Sequence, residues 1–195
     1  MKNDISAIGN ALVDTVFKVE HSLISELGLE IDQMTLSSAE EHAPIIDRLI
    51  SSGAETISDC GGSATNSLVA AASFGAKCFH TCKVSEDQDG LKYLKSLKDA
   101  GVGHKGNMAP ASNIPTGKCL ILVTPDAKRT MTTALNVSSL MDDNDLDLHE
   151  IANSKIFYIE GYMVTSDENY KATLHALNHL QNFPDVKIAF SLSDP

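Results

Sequence analysis

Short apolar runs of strand length alternate along this chain with longer stretches whose apolar residues recur at helical spacing, a rhythm that restricts it to an α/β arrangement. Residues 5–9 read as a buried strand leading into a loop at Asn10, and residues 15–20 alternate through Val16, Phe17 and Val19 as a half-exposed strand does. Ser38-Ala39-Glu40-Glu41 has capping-box spacing ahead of Ile45, Ile46, Leu49 and Ile50, with Gly53 placed to close that helix. Pro44 is expected to kink its first turns or delay its start. An Ala-rich helix over 64–74 ends at Gly75. A strand over 77–84, a turn at 87–90 and a helix through Leu91, Leu94 and Leu97 to Gly101 follow. Residues 102–107, 117–123 and 129–135 have strand character, and Pro125-Asp126 turns the last two into a hairpin. Residues 155–160 form another buried strand. Ser166 caps a helix through Tyr170, Leu174, Leu177 and Leu180 that ends at Phe183-Pro184, and residues 186–192 read as a strand buried on both faces. Such alternation implies a parallel sheet covered by helices. The pieces that break it, about 15–36 and 102–135, predict a small separate sheet laid over one end. No linker or internal repeat divides residues 1–195.

Composition removes several function classes. With 195 residues and 43% hydrophobic content, the chain can bury a substantial core. A formal charge of −11 repels phosphate backbones and anionic membranes, so neither nucleic acid nor membrane is an expected partner. Cys60, Cys78, Cys82 and Cys119 show no CxxC spacing and read as free thiols in a reducing compartment. Asp4 stands where a signal peptide needs apolar residues, and no apolar run approaches membrane-span length, so the expected location is cytoplasmic.

Two loops carry the candidate chemistry. Gly61-Gly62-Ser63-Ala64-Thr65-Asn66 runs straight into the Ala-rich helix. Glycines at a helix entrance let backbone approach a ligand, and the free N–H groups of the first turn face whatever lies there. Asn66 adds a donor and an acceptor. Such a loop suits a polyhydroxylated ligand or an anion, and equally suits ordinary capping. The second loop, Gly9-Asn10-Ala11-Leu12-Val13-Asp14, follows the first strand, at the sheet edge where open α/β proteins bind ligands. Asp14 there can accept from two neighbouring hydroxyls, or simply close an Asx-turn. No GxGxxG fingerprint is present. His175 and His179, four apart on one helix, lack a third metal ligand, and Asp142, Asp143, Asp145 and Asp147 lack EF-hand order; a solvated helix face and a surface loop account for them, and no metal site is expected.

Asn10 with Asp14, Gly61-Gly62 with Asn66, then Gly75-Ala76, resemble the first signature region of the PfkB, or ribokinase-like, carbohydrate kinases, and are closest to the adenosine kinases among them. The stretch from Leu120 through Pro125-Asp126 and Arg129 to Thr133 resembles that family's lid hairpin. Tyr158-Ile159-Glu160-Gly161 and Ser191-Leu192-Ser193-Asp194-Pro195 resemble later sheet strands. The resemblance implies an α/β fold with a ribokinase-like three-layer α/β/α core and a small β-sheet lid, here without the C-terminal half. It implies ATP-dependent phosphorylation of a nucleoside or sugar hydroxyl. Asn10, Asp14, Gly61, Gly62, Ser63 and Asn66 would hold the small-molecule acceptor. Arg129, Met131, Leu135, Glu160 and Tyr162 would be lid, wall or phosphate contacts, or purely structural. A homodimer through the lid is compatible with it.

The family's Gly-Ala-Gly-Asp motif, whose Asp is the general base, and its Asn-x-x-Glu motif do not occur in these residues. The expectation is therefore that ATP and Mg²⁺ are bound mainly by a C-terminal part absent here, that no catalytic residue lies in this chain, and that the chain alone is inactive. A kinase for ribose or fructose, and a truncated non-catalytic binding module, are the alternatives.

Overall fold

A computed structural model describes residues 2–110 and 114–192 of the chain. Ser193, Asp194 and Pro195 of the closing motif lie outside the described residues. Its elements, in order, are β1 (Asn3–Ile8), β2 (Leu12–Lys18), α1 (His21–Glu26), β3 (Met34–Leu36), α2 (Ala39–Ser51), β4 (Thr56–Gly61), α3 (Ser63–Ser73), β5 (Cys78–Thr81), β6 (Val84–Ser85), α4 (Gln88–Asp99), β7 (Val102–His104), β8 (Met108–Ala109), β9 (Gly117–Val123), β10 (Arg129–Ala134), α5 (Leu148–Ala152), β11 (Ser154–Ile159), α6 (Asp167–Leu180) and β12 (Lys187–Phe190). Turns of 3-10 helix span Asn136–Leu140, Asp143–Asp145 and Gly161–Thr165.

The main sheet has the order β12-β11-β1-β5-β7, and every neighbouring pair in it is parallel. Side chains alternate across it. Ile8, Phe157 and Ile159 pack against Ala172 and Ala176 of α6, while Ala7 and Cys78 pack against Leu68 of α3 and Leu97 of α4. Helices therefore cover both faces, so the covered parallel sheet expected from the alternation and the three-layer core implied by the resemblance are both present.

A second sheet has the order β3-β10-β9-β2-β4 and mixes parallel with antiparallel pairs. Phe17, Leu120 and Leu122 on one of its faces bury Leu23, Ile24 and Leu49 of α1 and α2. The hairpin joining β9 to β10 closes at Pro125-Asp126, where Thr124 N–H donates to the Lys128 carbonyl.

Several expectations need correction. Residues 102–107 do not join the small sheet: β7 lies beside β5 in the main one, with Cys78 opposite Val102, because α4 acts as a crossover that returns the chain parallel to β5. Met108 and Ala109 pair with Val84 and Ser85 in a separate two-stranded piece, so the strand over 77–84 is two strands. The small sheet gains β4 instead, whose residues Thr56 to Asp59 are exposed and show no apolar alternation. The turn at 87–90 is the first turn of α4, with the Asp87 side chain accepting from Gly90 N–H at 2.7 Å. Pro44 does not delay α2. The Ser38–Glu41 capping box, with reciprocal bonds of 2.7 and 3.2 Å, starts the helix at Ala39. Strand β12 is not buried on both faces; it forms an edge of the sheet among the described residues, with Ile188, Phe190 and Leu192 exposed.

Candidate functional site

The chain passes from the main sheet to the second one between β1 and β2, and returns between β4 and α3. Both crossings converge on one point. After Ile8, Gly9 admits the Glu160 carboxylate and the methyl of Ala64 into space that any Cβ would occupy. Gly62 caps α3 with φ of 99°, a left-handed conformation, and its Cα passes so close to the Asn10 carbonyl that an added Cβ would stand 2.5 Å from it. Gly61 packs directly on the carboxyl group of Asp14. These glycines bring the two loops together so that Asn10, Asp14 and the entrance of α3 share a wall.

That wall bounds a cavity of about 180 Å³. Asn10, Asp14, Gly62, Ser63, Asn66, Arg129, Met131, Leu135, Glu160 and Tyr162 all line it. Gly61 alone among the sequence candidates is not a lining residue; it holds the Asp14 side chain from behind. Leu12, Met34, Leu36, Cys119, Ile121, Thr133 and Thr165 also line the cavity and were not singled out from the sequence. Sheet register explains most of these. Asp14, Cys119, Thr133 and Leu36 are aligned partners across β2, β9, β10 and β3, and Ile121, Met131 and Met34 form the next row. Alternation along β9 and β10 could have revealed Cys119, Ile121 and Thr133, since they share a face with Met131 and Leu135. Strand β3 falls at the end of the 15–36 segment expected in the small sheet.

Several polar groups converge on the cavity. Glu160 is 1% exposed, and its Oε2 accepts the Asn10 backbone N–H at 2.8 Å. Burial pushes its carboxyl up to about 7, against the pull of that N–H and of the Ser63 and Ala64 groups. Ser63 Oγ lies near this carboxyl without reaching hydrogen-bond geometry and has no partner. Burial also raises Asp14 to about 6; Arg129 draws it down and Asp59 adds to the rise. The Asn10 carboxamide is buried, with Nδ2 unpartnered. Leu12, Met34, Leu36, Ile121, Met131 and Leu135 add an apolar lining. Such a cavity can hold a molecule that combines clustered hydroxyls with an apolar or flat group. A larger groove of about 520 Å³ beside α1 and α2 has no comparable convergence, and its basic groups Lys18 and Arg48 are each paired with a carboxylate at 2.8 Å.

Behind the loop, Thr65 Oγ1 bonds the Nε2 of fully buried His80 at 3.1 Å and also meets the Tyr93 hydroxyl. Burial holds His80 down at about 4, so it is a neutral anchor for α3. Cys78, Cys82 and Cys119 are buried free thiols and Cys60 is half-buried. His175 pairs with Asp143 at 2.8 Å, and Asp145 with Lys83 at 2.8 Å in a largely buried bridge. No group of three or more His, Cys, Asp or Glu side chains among the described residues could hold a metal ion, and no described helix is long and apolar enough to cross a membrane.

The family model described as pfkB family carbohydrate kinase matches residues 33–195. A ribokinase from Dictyostelium discoideum is 27% identical over 135 residues, covering 68% of this chain and 41% of that protein. The solved adenosine kinase from Sinorhizobium meliloti superposes over the whole chain with a TM-score of 0.91 at 28% identity. A probable sugar kinase from Rhizobium etli CFN 42 does so equally well, with a TM-score of 0.91 at 25% identity. The chain spans 57% of the length of each of these two structures.

Proposed function

Because the chain belongs to the pfkB family of carbohydrate kinases, we propose that its cavity binds the hydroxyl-bearing acceptor of an ATP-dependent phosphoryl transfer, with adenosine or a similar nucleoside as that acceptor. The observation that carries this reading is the convergence on one cavity of the polar groups of Asn10, Asp14, Ser63 and Glu160 with apolar side chains from β3, β9 and β10. The ionised Asp14 carboxylate accepts from two adjacent ribose hydroxyls, each bond being charge-assisted. Ser63, Asn66 and the first-turn N–H groups of α3 supply further donors. Met131, Leu135 and Tyr162 lie against the base. The second sheet acts as a lid whose hairpin excludes water once the acceptor is seated. Arg129, on β10, is the cationic lining group that can approach a transferred phosphate.

ATP enters this proposal as the phosphoryl donor and Mg²⁺ as its companion. No group of three or more His, Cys, Asp or Glu side chains among the described residues could hold that ion. The general base and the phosphate anion hole are assigned outside these residues, since no Gly-Ala-Gly-Asp string occurs in them.

A sugar such as ribose or fructose is the second reading, favoured by the ribokinase relative and by the equal TM-scores of the adenosine kinase and the probable sugar kinase. Calorimetric titration of the chain with adenosine, ribose and fructose tests both. Adenosine is expected to bind most tightly because the apolar wall contributes only to a nucleoside. Preference for a free sugar would replace the first reading with the second, and binding of none would refute both. Acceptor-dependent ATP turnover by the chain alone would overturn the assignment of the base elsewhere.

A further inference from the structure

The carboxamide of Asn10 is held by two residues that neither loop contains. Ser138 belongs to the 3-10 turn after β10 and Asn169 to the first turn of α6; both are completely buried. Ser138 Oγ accepts the Ala11 backbone N–H at 2.9 Å, which leaves its own proton to be donated to Asn10 Oδ1 at 3.1 Å. Asn169 Oδ1 accepts the Met141 backbone N–H at 3.1 Å. Its Nδ2 must then donate, and it does so to the Ser138 carbonyl and to Asn10 Oδ1, each at 3.0 Å. A backbone N–H can only donate, so the anchor at Met141 makes Asn169 Nδ2 a fixed donor that turns the Asn10 oxygen inward, and the Ser138 hydroxyl, which could otherwise accept twice, then donates to that oxygen. Both groups facing Asn10 are donors, and its oxygen is turned toward them. The orientation of this side-chain amide follows from the network. Its Nδ2 is buried and without a protein partner, in a residue that lines the cavity.

We infer that Ser138 and Asn169 are positioning residues that fix the polarity of the site, presenting Asn10 as a hydrogen-bond donor and thereby requiring an acceptor atom on the ligand. The inference deepens the proposed function and rests on its reading of the cavity as a site for a hydroxylated acceptor. It gives Asn10 and Asp14 opposite tasks. The carboxylate accepts from ligand hydroxyls, and the amide donates to one. A ligand hydroxyl serves either way, whereas a fluorine only accepts and an ammonium only donates.

The test is titration calorimetry of the chain with adenosine and with its 2′- and 3′-deoxyfluoro and deoxyamino analogues. In Asn169→Leu the Asn10 amide is free to turn over. At the hydroxyl that meets Asn10, the ratio of fluoro to amino affinity is expected to fall about tenfold relative to wild type. Adenosine itself should change far less, because its hydroxyl adapts; a purely structural role would weaken all the compounds alike. Comparing each ratio with wild type cancels the carboxylate of Asp14, which is common to both proteins. Asn10→Asp keeps both donors on one oxygen and makes the other an acceptor, so the ratio should invert in favour of the amine. A folded Asn169→Leu protein with the wild-type ratio overturns the inference, as does an unchanged ratio in Asn10→Asp. If Asn169→Leu does not fold, Ser138→Ala, which removes one of the two donors, should lower the ratio partway, and no change refutes the relay. A wild-type chain that binds none of the nucleosides refutes the functional reading instead. The relay is then judged by NMR: the Asn169 side-chain NH₂ protons should be protected from exchange, and rapid exchange rejects it.

Discussion

Replacing Asp14 by Asn should make the unliganded chain more stable and its acceptor binding weaker. The carboxyl is displaced from 3.8 to about 6, chiefly by burial, and this corresponds to roughly 3 kcal/mol of differential interaction between its two protonation states. The folded value is the higher one, so the stability linked to it is fully present below about pH 4 and is lost as pH rises through about 6. At neutral pH the wild-type chain carries that cost in full and the Asp14→Asn variant does not. A gain of up to about 3 kcal/mol follows, and at roughly 2–4 °C per kcal/mol for a chain of this size the melting temperature should rise by several degrees. Asn is nearly isosteric, so it still fits beneath Gly61, where the carboxyl group fills the space of the absent Cβ. It retains only one acceptor oxygen and no charge, and the loss of two charge-assisted bonds should weaken adenosine binding by about a hundredfold. Thermal melts of both proteins between about pH 4 and pH 8, with titrations at the same pH values, give the answer. The melting temperatures should converge near the acid end, separate between about pH 4 and pH 6 and stay apart above it, and only the wild-type affinity should climb through that interval. An Asp14→Asn variant that is less stable at neutral pH yet binds as tightly as wild type would show that Asp14 is a structural residue.

Glu160→Gln should flatten the fall in stability expected between about pH 4.5 and 7, because burial raises this carboxyl to about 7 and the amide has nothing to titrate; an unchanged pH profile of thermal melting would contradict that cause. Gly9→Ala should destabilise by about 1–3 kcal/mol or more, since the new methyl meets the Glu160 carboxylate and the Ala64 side chain, and urea unfolding showing no loss would refute the close approach. Thr65→Val strips His80 and the Tyr93 hydroxyl of their shared partner and should cost about 1–3 kcal/mol in the same assay. Ile188, Phe190 and Leu192 stand exposed along the edge strand β12, so Phe190→Asp should reduce self-association in sedimentation velocity; equal association of both proteins would place the sticky surface elsewhere.

The order of helices and strands in the main sheet was legible because burial on both sheet faces leaves near-continuous apolar runs and helices leave a 3.6-residue period. The runs at 5–9 and 155–160, the capping box at Ser38 and the cap at Ser166 are local signals with local causes. The two loops at the cavity were legible for a related reason: close backbone approach admits only glycine, so Gly9, Gly61 and Gly62 mark where elements touch. Tertiary structure decided the rest. An exposed edge strand such as β4 has no apolar face to advertise it, and residues 102–104 have the same strand character as the hairpin that follows them. Membership of one sheet or the other depended on α4 returning the chain beside β5. The polarity of the site was decided over a longer range still. Ser138 and Asn169 lie 128 and 159 residues from Asn10, and both act through hydrogen bonds that only the packed fold can form. A sequence reveals which groups can donate or accept; the direction of each bond is fixed when backbone groups at Ala11 and Met141 are buried beside them and must be satisfied.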